Sequence, residues 1–235
     1  HRAACGGLDT VAVRMPDHPF ALSLIRAFGP VAAPSANLSG KPSPTKAEHV
    51  LRDMRGRADM IVSAGQCEVG VESTVVDLTT VPPRIYRPGR ITASELAPHI
   101  GAVEVSFSSE RPRSPGQKYR HYSPELDMTM VPFGEGQAEK MIELAERLIQ
   151  DGQRVGFVCS QDMIGKLEGA GLDLISLGKS DKTFEIMKNL FDVLRSLEDT
   201  GWDHAVVQGL PEDMEHAALM DRLKKACGGN MYDGR

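Results

Sequence analysis

Hydrophobic positions in the first hundred residues alternate in short runs, then give way to a loop rich in proline and hydroxyl groups. Thr10-Val11-Ala12-Val13-Arg14-Met15 puts Val11, Val13 and Met15 on one side and Thr10, Ala12 and Arg14 on the other. Period-two alternation predicts a half-buried strand, which Pro16 ends. Leu22, Ile25 and Phe28 fall at helical spacing and predict an amphipathic helix over Pro19–Phe28. Further strands are expected over Gly29–Ala33, Met60–Val62, Ser73–Leu78 and Pro83–Arg90, with a turn over Gly65–Gly70. Thr45-x-x-Glu48 and Thr92-x-x-Glu95 each predict a capping box, the first opening a helix through Met54 and the second a short helix.

Periodicity stops from Val105 to Glu125, where Ser, Pro and Gly accumulate as in a linker. Beyond it, strands are expected over Met128–Val131, Arg154–Cys159, Asp173–Leu177 and His204–Gln208. Helices are expected over Gln137–Gln150, Lys182–Glu198 and Ala217–Ala226, and the tail Gly228–Arg235 reads as irregular. The stripe Phe184, Met187, Leu190, Phe191, Leu194 and Leu197 sets the inward face of the second of these helices. Strands alternating with helices predict a parallel α/β unit. It has neither the GxGxxG nor the Walker glycines, so its outline is no argument for a dinucleotide.

Composition narrows the class. The 235 residues suffice for one large or two ordinary domains, and 41% hydrophobic with 25% charged residues suits a globular protein with a substantial core. A net charge of −5 argues against a protein that grips nucleic acid mainly through charge. No apolar run approaches the roughly 20 residues that span a bilayer, and no signal peptide is visible. Cys5, Cys67, Cys159 and Cys227 form no CxxC and the histidines no HExxH, so a reducing cytoplasm and no structural metal are expected. A strand is predicted within ten residues of His1, so a preceding segment is expected.

The chemistry concentrates between Ala32 and Thr45, where Pro34, Pro42, Pro44 and Gly40 interrupt regular structure. This strand-to-helix loop displays Ser35, Asn37, Ser39 and Ser43 beside backbone N–H groups at a helix start. That suits a polyanion such as a nucleotide phosphate, although the same composition fits a polar surface loop. Arg84, Arg87 and Arg90 form a local positive cluster, either a phosphate site or a solvated face. Arg14 leaves its predicted strand opposite the valines, as an edge arginine or as a holder of a carboxylate or phosphate. Lys118-Tyr119-Arg120-His121-Tyr122 exceeds what a spacer needs. Its aromatics and cations can stack on a base and neutralise phosphate, as in a linker reaching back into a site.

Five segments stand in order: Gly7-Leu8-Asp9-Thr10-Val11-Ala12-Val13-Arg14-Met15-Pro16, Ala33-Pro34-Ser35-Ala36-Asn37-Leu38-Ser39-Gly40, Val71-Glu72-Ser73-Thr74-Val75-Val76-Asp77, Arg87-Pro88-Gly89 and Ser114-Pro115-Gly116-Gln117-Lys118-Tyr119-Arg120-His121-Tyr122-Ser123-Pro124. Together they resemble the two-domain threonylcarbamoyl-AMP synthases with a YrdC-type catalytic domain. The resemblance implies an α/β protein. Residues 1–105 would be the C-terminal part of a YrdC-like α/β catalytic domain, incomplete at its N-terminus. Residues 106–125 would be a linker reaching over the active site, and 126–235 a smaller Rossmann-like parallel α/β domain. The family's Lys-x-Arg nucleotide motif and first strands would lie before His1. The family's last helix carries an Asn-Arg pair where this chain has Asp221-Arg222.

The resemblance further implies that L-threonine, bicarbonate (or CO₂) and ATP give threonylcarbamoyl-adenylate and pyrophosphate. A downstream transferase complex would pass the group to tRNA, which this protein meets at most indirectly, without a membrane partner. By position, Arg14, Ala33 and Ser73 would hold L-threonine, and Ser35, Asn37, Ser43, Arg87, His121 and Tyr122 would contact ATP. Mg²⁺ would enter with ATP rather than on protein ligands, and no residue would act as a covalent catalyst. Such a reaction needs positioning and charge neutralisation, which fits the lack of a nucleophilic constellation in the sequence. Distinguishing threonine from serine rests on one methyl, about 1–3 kcal/mol, so some use of serine is expected. Two other readings remain at this stage: a YrdC-type nucleotide- or RNA-binding module, and a carbamoyl-transfer enzyme of the hydrogenase-maturation type.

Overall fold

The computed structural model describes residues 2–106 and 122–234. Two sheets divide the chain. The first contains β1 (Val75–Asp77), β2 (Arg84–Arg87) and β3 (Glu104–Val105) in that order, with β1 antiparallel and β3 parallel to β2. Helix α3 (Ala93–Ile100) makes the crossover from β2 to β3. Its predicted capping box is present: Thr92 Oγ1 accepts the Glu95 amide at 3.3 Å and Glu95 Oε2 accepts the Thr92 amide at 2.8 Å.

The matching pattern at Thr45 does not form a box. Thr45 is buried, its amide donates to His49 Nδ1 at 3.2 Å and its carbonyl accepts the Cys67 amide at 2.8 Å. Helix α2 (Ala47–Met54) therefore starts after Lys46 with no side-chain cap. Helix α1 occupies Pro19–Phe28, the span its apolar spacing predicts, but buries none of its residues. Residues 10–15, 30–33 and 60–62 are not strands. They pair with no strand among the described residues, and Val13 and Met15 are 88% and 86% exposed. Alternation prepares a segment for a ladder; only a neighbouring strand makes one.

The second sheet is entirely parallel. Its strands β4 (Asp127–Val131), β5 (Val155–Cys159), β6 (Leu174–Ser176) and β7 (His204–Gln208) lie in the order β4-β7-β5-β6. Both β5 and β7 are buried throughout, as expected of strands covered on two faces. Ala205 and Val207 join one core with α6 (Thr183–Ser196) and α7 (Ala217–Ala226). Val206, with Phe157 and Cys159, joins the other with α4 (Gln137–Gln150) and α5 (Gln161–Leu167). Residues 228–234 are irregular, as expected, apart from one isolated bridge at Met231. Met130 donates to the Asn230 carbonyl at 3.1 Å and accepts from Tyr232 at 2.9 Å, which covers the edge of β4.

Four titratable groups tie this fold to pH. Burial holds His49 and His204 below the ordinary imidazole range; at His49 the charge of Arg195 adds to it against an opposing Asp192. A lowered folded pKa means that the fold favours the neutral ring. The associated stability is thus complete above about pH 6.5 and is lost as pH falls through the lowered values. Asp53 and Glu72 are also held low and extend the loss further into acid. The thermal midpoint is expected to hold steady from about pH 8 to pH 6.5 and then to fall towards pH 5. A midpoint unchanged down to pH 5, read by calorimetry, would contradict these environments.

Candidate active site

The proline-rich loop turns its backbone toward α6 and its cation toward the turn that follows it. Asn37 Nδ2 donates to the carbonyls of Leu38 at 2.8 Å and Lys41 at 3.2 Å, so its amide braces the loop from within. Its Oδ1 is buried without a partner among the described residues. Lys41 reaches Glu198 at 3.2 Å and Glu125 at 3.3 Å, and is thereby spoken for. Ser43 points elsewhere: its hydroxyl donates to Glu72 Oε1 at 2.7 Å.

Glu72 is the hub. Its second oxygen, Oε2, accepts Arg222 Nε from α7 at 3.1 Å. Burial alone would raise the Glu72 carboxyl, but the Arg222 charge, the Ser43 hydroxyl and the Arg87 charge outweigh it and hold the group below the usual carboxylate range. Arg222 is fully buried, and its Nη1 donates to the Pro88 carbonyl and to Asp221, both within 3 Å. Arg87 donates through Nε and Nη2 to the Ser73 carbonyl at 3.2 and 3.0 Å. Burial lowers its pKa, Glu72 works against that, and a guanidinium stays cationic in either case.

Tyr122 closes the cluster. It is 1% exposed, its ring centroid lies 5.0 Å from that of Phe191 on α6, and Arg222 Cζ sits 5.9 Å from the ring centre. Its backbone takes a φ of 69°, a left-handed conformation that costs a non-glycine residue about 1 kcal/mol. Burial, reinforced by Glu72, raises the phenol well above its ordinary range, so it remains protonated. At Gly70 the φ is +80°, and a Cβ there would meet Met187 O and Lys188 of α6, so the chain before Val71 lies directly on that helix. The cluster thus straddles the seam between the two halves.

Measured against the expected residues, the structure gathers Ser43, Ser73, Arg87 and Tyr122 around Glu72. Arg14, Ala33 and Ser35 lie exposed on chain without helix or strand. His121 lies outside the described residues. The arginine trio disperses: Arg84 pairs with Glu104 at 2.9 Å, Arg90 crosses to α6 and stands over the Phe184 ring at 5.9 Å, and Arg87 turns to the Ser73 carbonyl. Glu72, Arg222, Asp53 and Arg195 escaped the reading of the sequence as site-forming residues. Their one signal is that Arg195 and Arg222 interrupt the apolar stripes of α6 and α7, and a charge on a buried stripe needs a buried partner.

Residues 1–89 match the Sua5_yciO_yrdC family model, described as telomere recombination. Residues 91–228 match the model for the C-terminal domain of threonylcarbamoyl-AMP synthase, which is more than half of the chain. This chain belongs to the threonylcarbamoyl-AMP synthase family. Among its relatives, the threonylcarbamoyl-AMP synthase of Bacillus subtilis is 42% identical over 230 residues, covering 96% of this chain and 65% of that protein. That of Pyrococcus abyssi is 41% identical over 237 residues, covering 97% and 66%. The crystal structure of P. abyssi Sua5 complexed with L-threonine matches at a TM-score of 0.87 and 38% identity, over 100% of this chain and 69% of that one. The chain thus spans about two-thirds of its family relatives, and it carries both the segments of the seam cluster and the C-terminal unit that closes on them.

Proposed function

We propose that this chain is the larger part of an enzyme that makes threonylcarbamoyl-adenylate from L-threonine, bicarbonate and ATP with release of pyrophosphate. The observation that carries the reading is the agreement, over the whole chain, with a relative solved in complex with L-threonine. The convergence of Ser43, Ser73, Arg87 and Tyr122 at one seam supports it. In this reading the threonine amine and CO₂ give a carbamate. A carbamate oxygen then bonds to the α-phosphorus of ATP as the bond to the departing pyrophosphate breaks. The in-line displacement asks for alignment and for positive charge near the phosphates; in this reading Arg87 supplies the charge and Ser43 a hydroxyl. Ser73, whose carbonyl the Arg87 fork holds, takes the amino acid in this reading. Arg14, Ala33, Ser35 and His121 are assigned to the same ligands on family grounds.

Mg²⁺ would enter as the counter-ion of ATP. Among the described residues no group of three His, Cys, Asp or Glu side chains could hold a metal, and the Glu72 carboxylate is taken by Ser43 and Arg222. Tyr122, seated between α6 and α7, would anchor the segment before it over the site and keep water from the carbamate and the mixed anhydride. Product would pass, in the cytoplasm, to a transferase that modifies tRNA. No described helix is long and apolar enough to cross a membrane.

Pyrophosphate release from ATP, measured on the full encoded protein, tests the reading. It is expected only when L-threonine and bicarbonate are both present. Release indifferent to either would overturn it in favour of another use of nucleotide, and tight ATP binding without any release would leave a binding module.

A further inference from the structure

Arg195 follows Leu194 on the inward side of α6, where an apolar side chain would be ordinary, and is itself buried. Its Nε and Nη2 donate to the Pro42 carbonyl at 3.0 and 2.6 Å. The same guanidinium meets both Asp53 oxygens, Nη2 to Oδ2 at 2.7 Å and Nη1 to Oδ1 at 3.4 Å. Asp53, buried on α2, accepts the Leu38 amide at 3.2 Å. Burial by itself would raise the Asp53 carboxyl, but Arg195 and the Leu38 amide hold it low. One ion pair therefore grips both ends of Leu38–Pro42, an amide at one end and a carbonyl at the other.

Stability is a poor reason for such a pair, because two apolar side chains of similar volume commonly serve a buried site as well or better. The flanking pairs Lys46–Asp192 at 2.6 Å and Arg52–Asp199 at 3.0 Å are more exposed and already join α2 to this part of the chain. What an apolar pair cannot do is bond the Leu38 amide and the Pro42 carbonyl. Immediately after Pro42 comes Ser43, whose hydroxyl is fixed on Glu72.

We propose that Arg195, acting with Asp53, is a positioning residue for the nucleotide: α6 shapes the Leu38–Pro42 backbone from across the seam and so aims Ser43. The proposal rests on the reading that Ser43 contacts ATP. It gives the C-terminal half a task in the chemistry of the N-terminal half, with neither residue touching a reactant.

Two variants of the full encoded protein test it: Arg195→Lys, which keeps the charge but not the fork, and Asp53→Leu with Arg195→Met, which removes both charges. Hydrogen exchange at the amides of residues 38–41 and 43 is expected to quicken about ten-fold in each variant, and KM for ATP to rise about ten-fold, as misplacement of a binding loop predicts. KM for L-threonine and exchange in β4 to β7 are expected to stay as they were. Unchanged loop exchange and unchanged KM for ATP in both variants would overturn the proposal. So would a uniform loss of protection across β4 to β7 with both KM values raised, which marks a merely structural pair. Exchange needs no turnover, so failure of the synthase reading would appear separately, as absent pyrophosphate release in the unsubstituted protein.

Discussion

Arg222→Ala is expected to destabilise the protein by about 3 kcal/mol, the low end of the cost of breaking a buried ion pair, because part of Glu72 still reaches solvent. For a chain of this length that lowers the thermal midpoint by about 6 to 12 °C, readable by calorimetry. The cause is local. Truncation strips the donor from Glu72, from the Pro88 carbonyl and from Asp221 at once, and opens a void beneath the Tyr122 ring. Adding Glu72→Gln to the variant should recover part of the loss, since the uncompensated charge is then gone. Arg222→Lys should recover little, because a single ammonium cannot reproduce the fork that reaches Glu72 and Pro88 together. A stability loss under about 1 kcal/mol for Arg222→Ala would mean that the two halves do not depend on this seam.

Gly89→Ala is expected to act on binding more than on stability. Gly89 does not need a glycine for its φ; it needs one for space. A Cβ there would run into Thr74 N, Glu72 O and Ser73 C, all backbone, so no side chain can swing away to admit it. The chain at Glu72–Thr74 must separate from the end of β2, and with it Ser73 leaves the Arg87 fork. Overpacking of this kind costs about 1–3 kcal/mol in stability. Misplacing substrate-positioning groups by an ångström costs roughly a hundred-fold in function. L-threonine affinity, measured by titration calorimetry, should fall about that far, and the same titration on Gly101→Ala serves as the control. At Gly101 a Cβ meets nothing, although φ is +79° there. Unimpaired threonine binding in Gly89→Ala would remove Ser73 from the amino-acid site.

Local signals in the chain suffice where an element carries its own evidence. Helices α1, α4 and α7 and strand β7 occupy the spans their apolar spacing predicts, since a helical stripe or a doubly buried run carries its own evidence. Helix α5 went unread because it is a seven-residue helix with Gly165 inside it. The two Thr-x-x-Glu patterns show the limit: Thr92 is capped as expected, whereas Thr45 is buried and its polar groups have other partners. Thr10–Met15 has a strand's alternation and no ladder among the described residues.

The site was legible to the extent that it lies in contiguous motifs. Ser43, Ser73 and Arg87 could be named from short segments; what holds them could not. The Glu72–Arg222 and Asp53–Arg195 pairs join residues 150 and 142 positions apart, and nothing local at either end specifies the other. Three clustered arginines likewise suggested one charge patch, but β2 sends Arg84 toward Glu104 and Arg87 toward Ser73. Loop and helix chemistry is written locally, whereas a seam is written only in the fold.

A crystal structure of the full encoded protein with L-threonine and a non-hydrolysable ATP analogue tests the central claim most directly. The threonine is predicted to lie against Ser73, with the triphosphate between Arg87 and Ser43 and the Tyr122 ring still seated against Phe191. Either ligand found at a place that touches none of Ser43, Ser73 and Arg87 would contradict it.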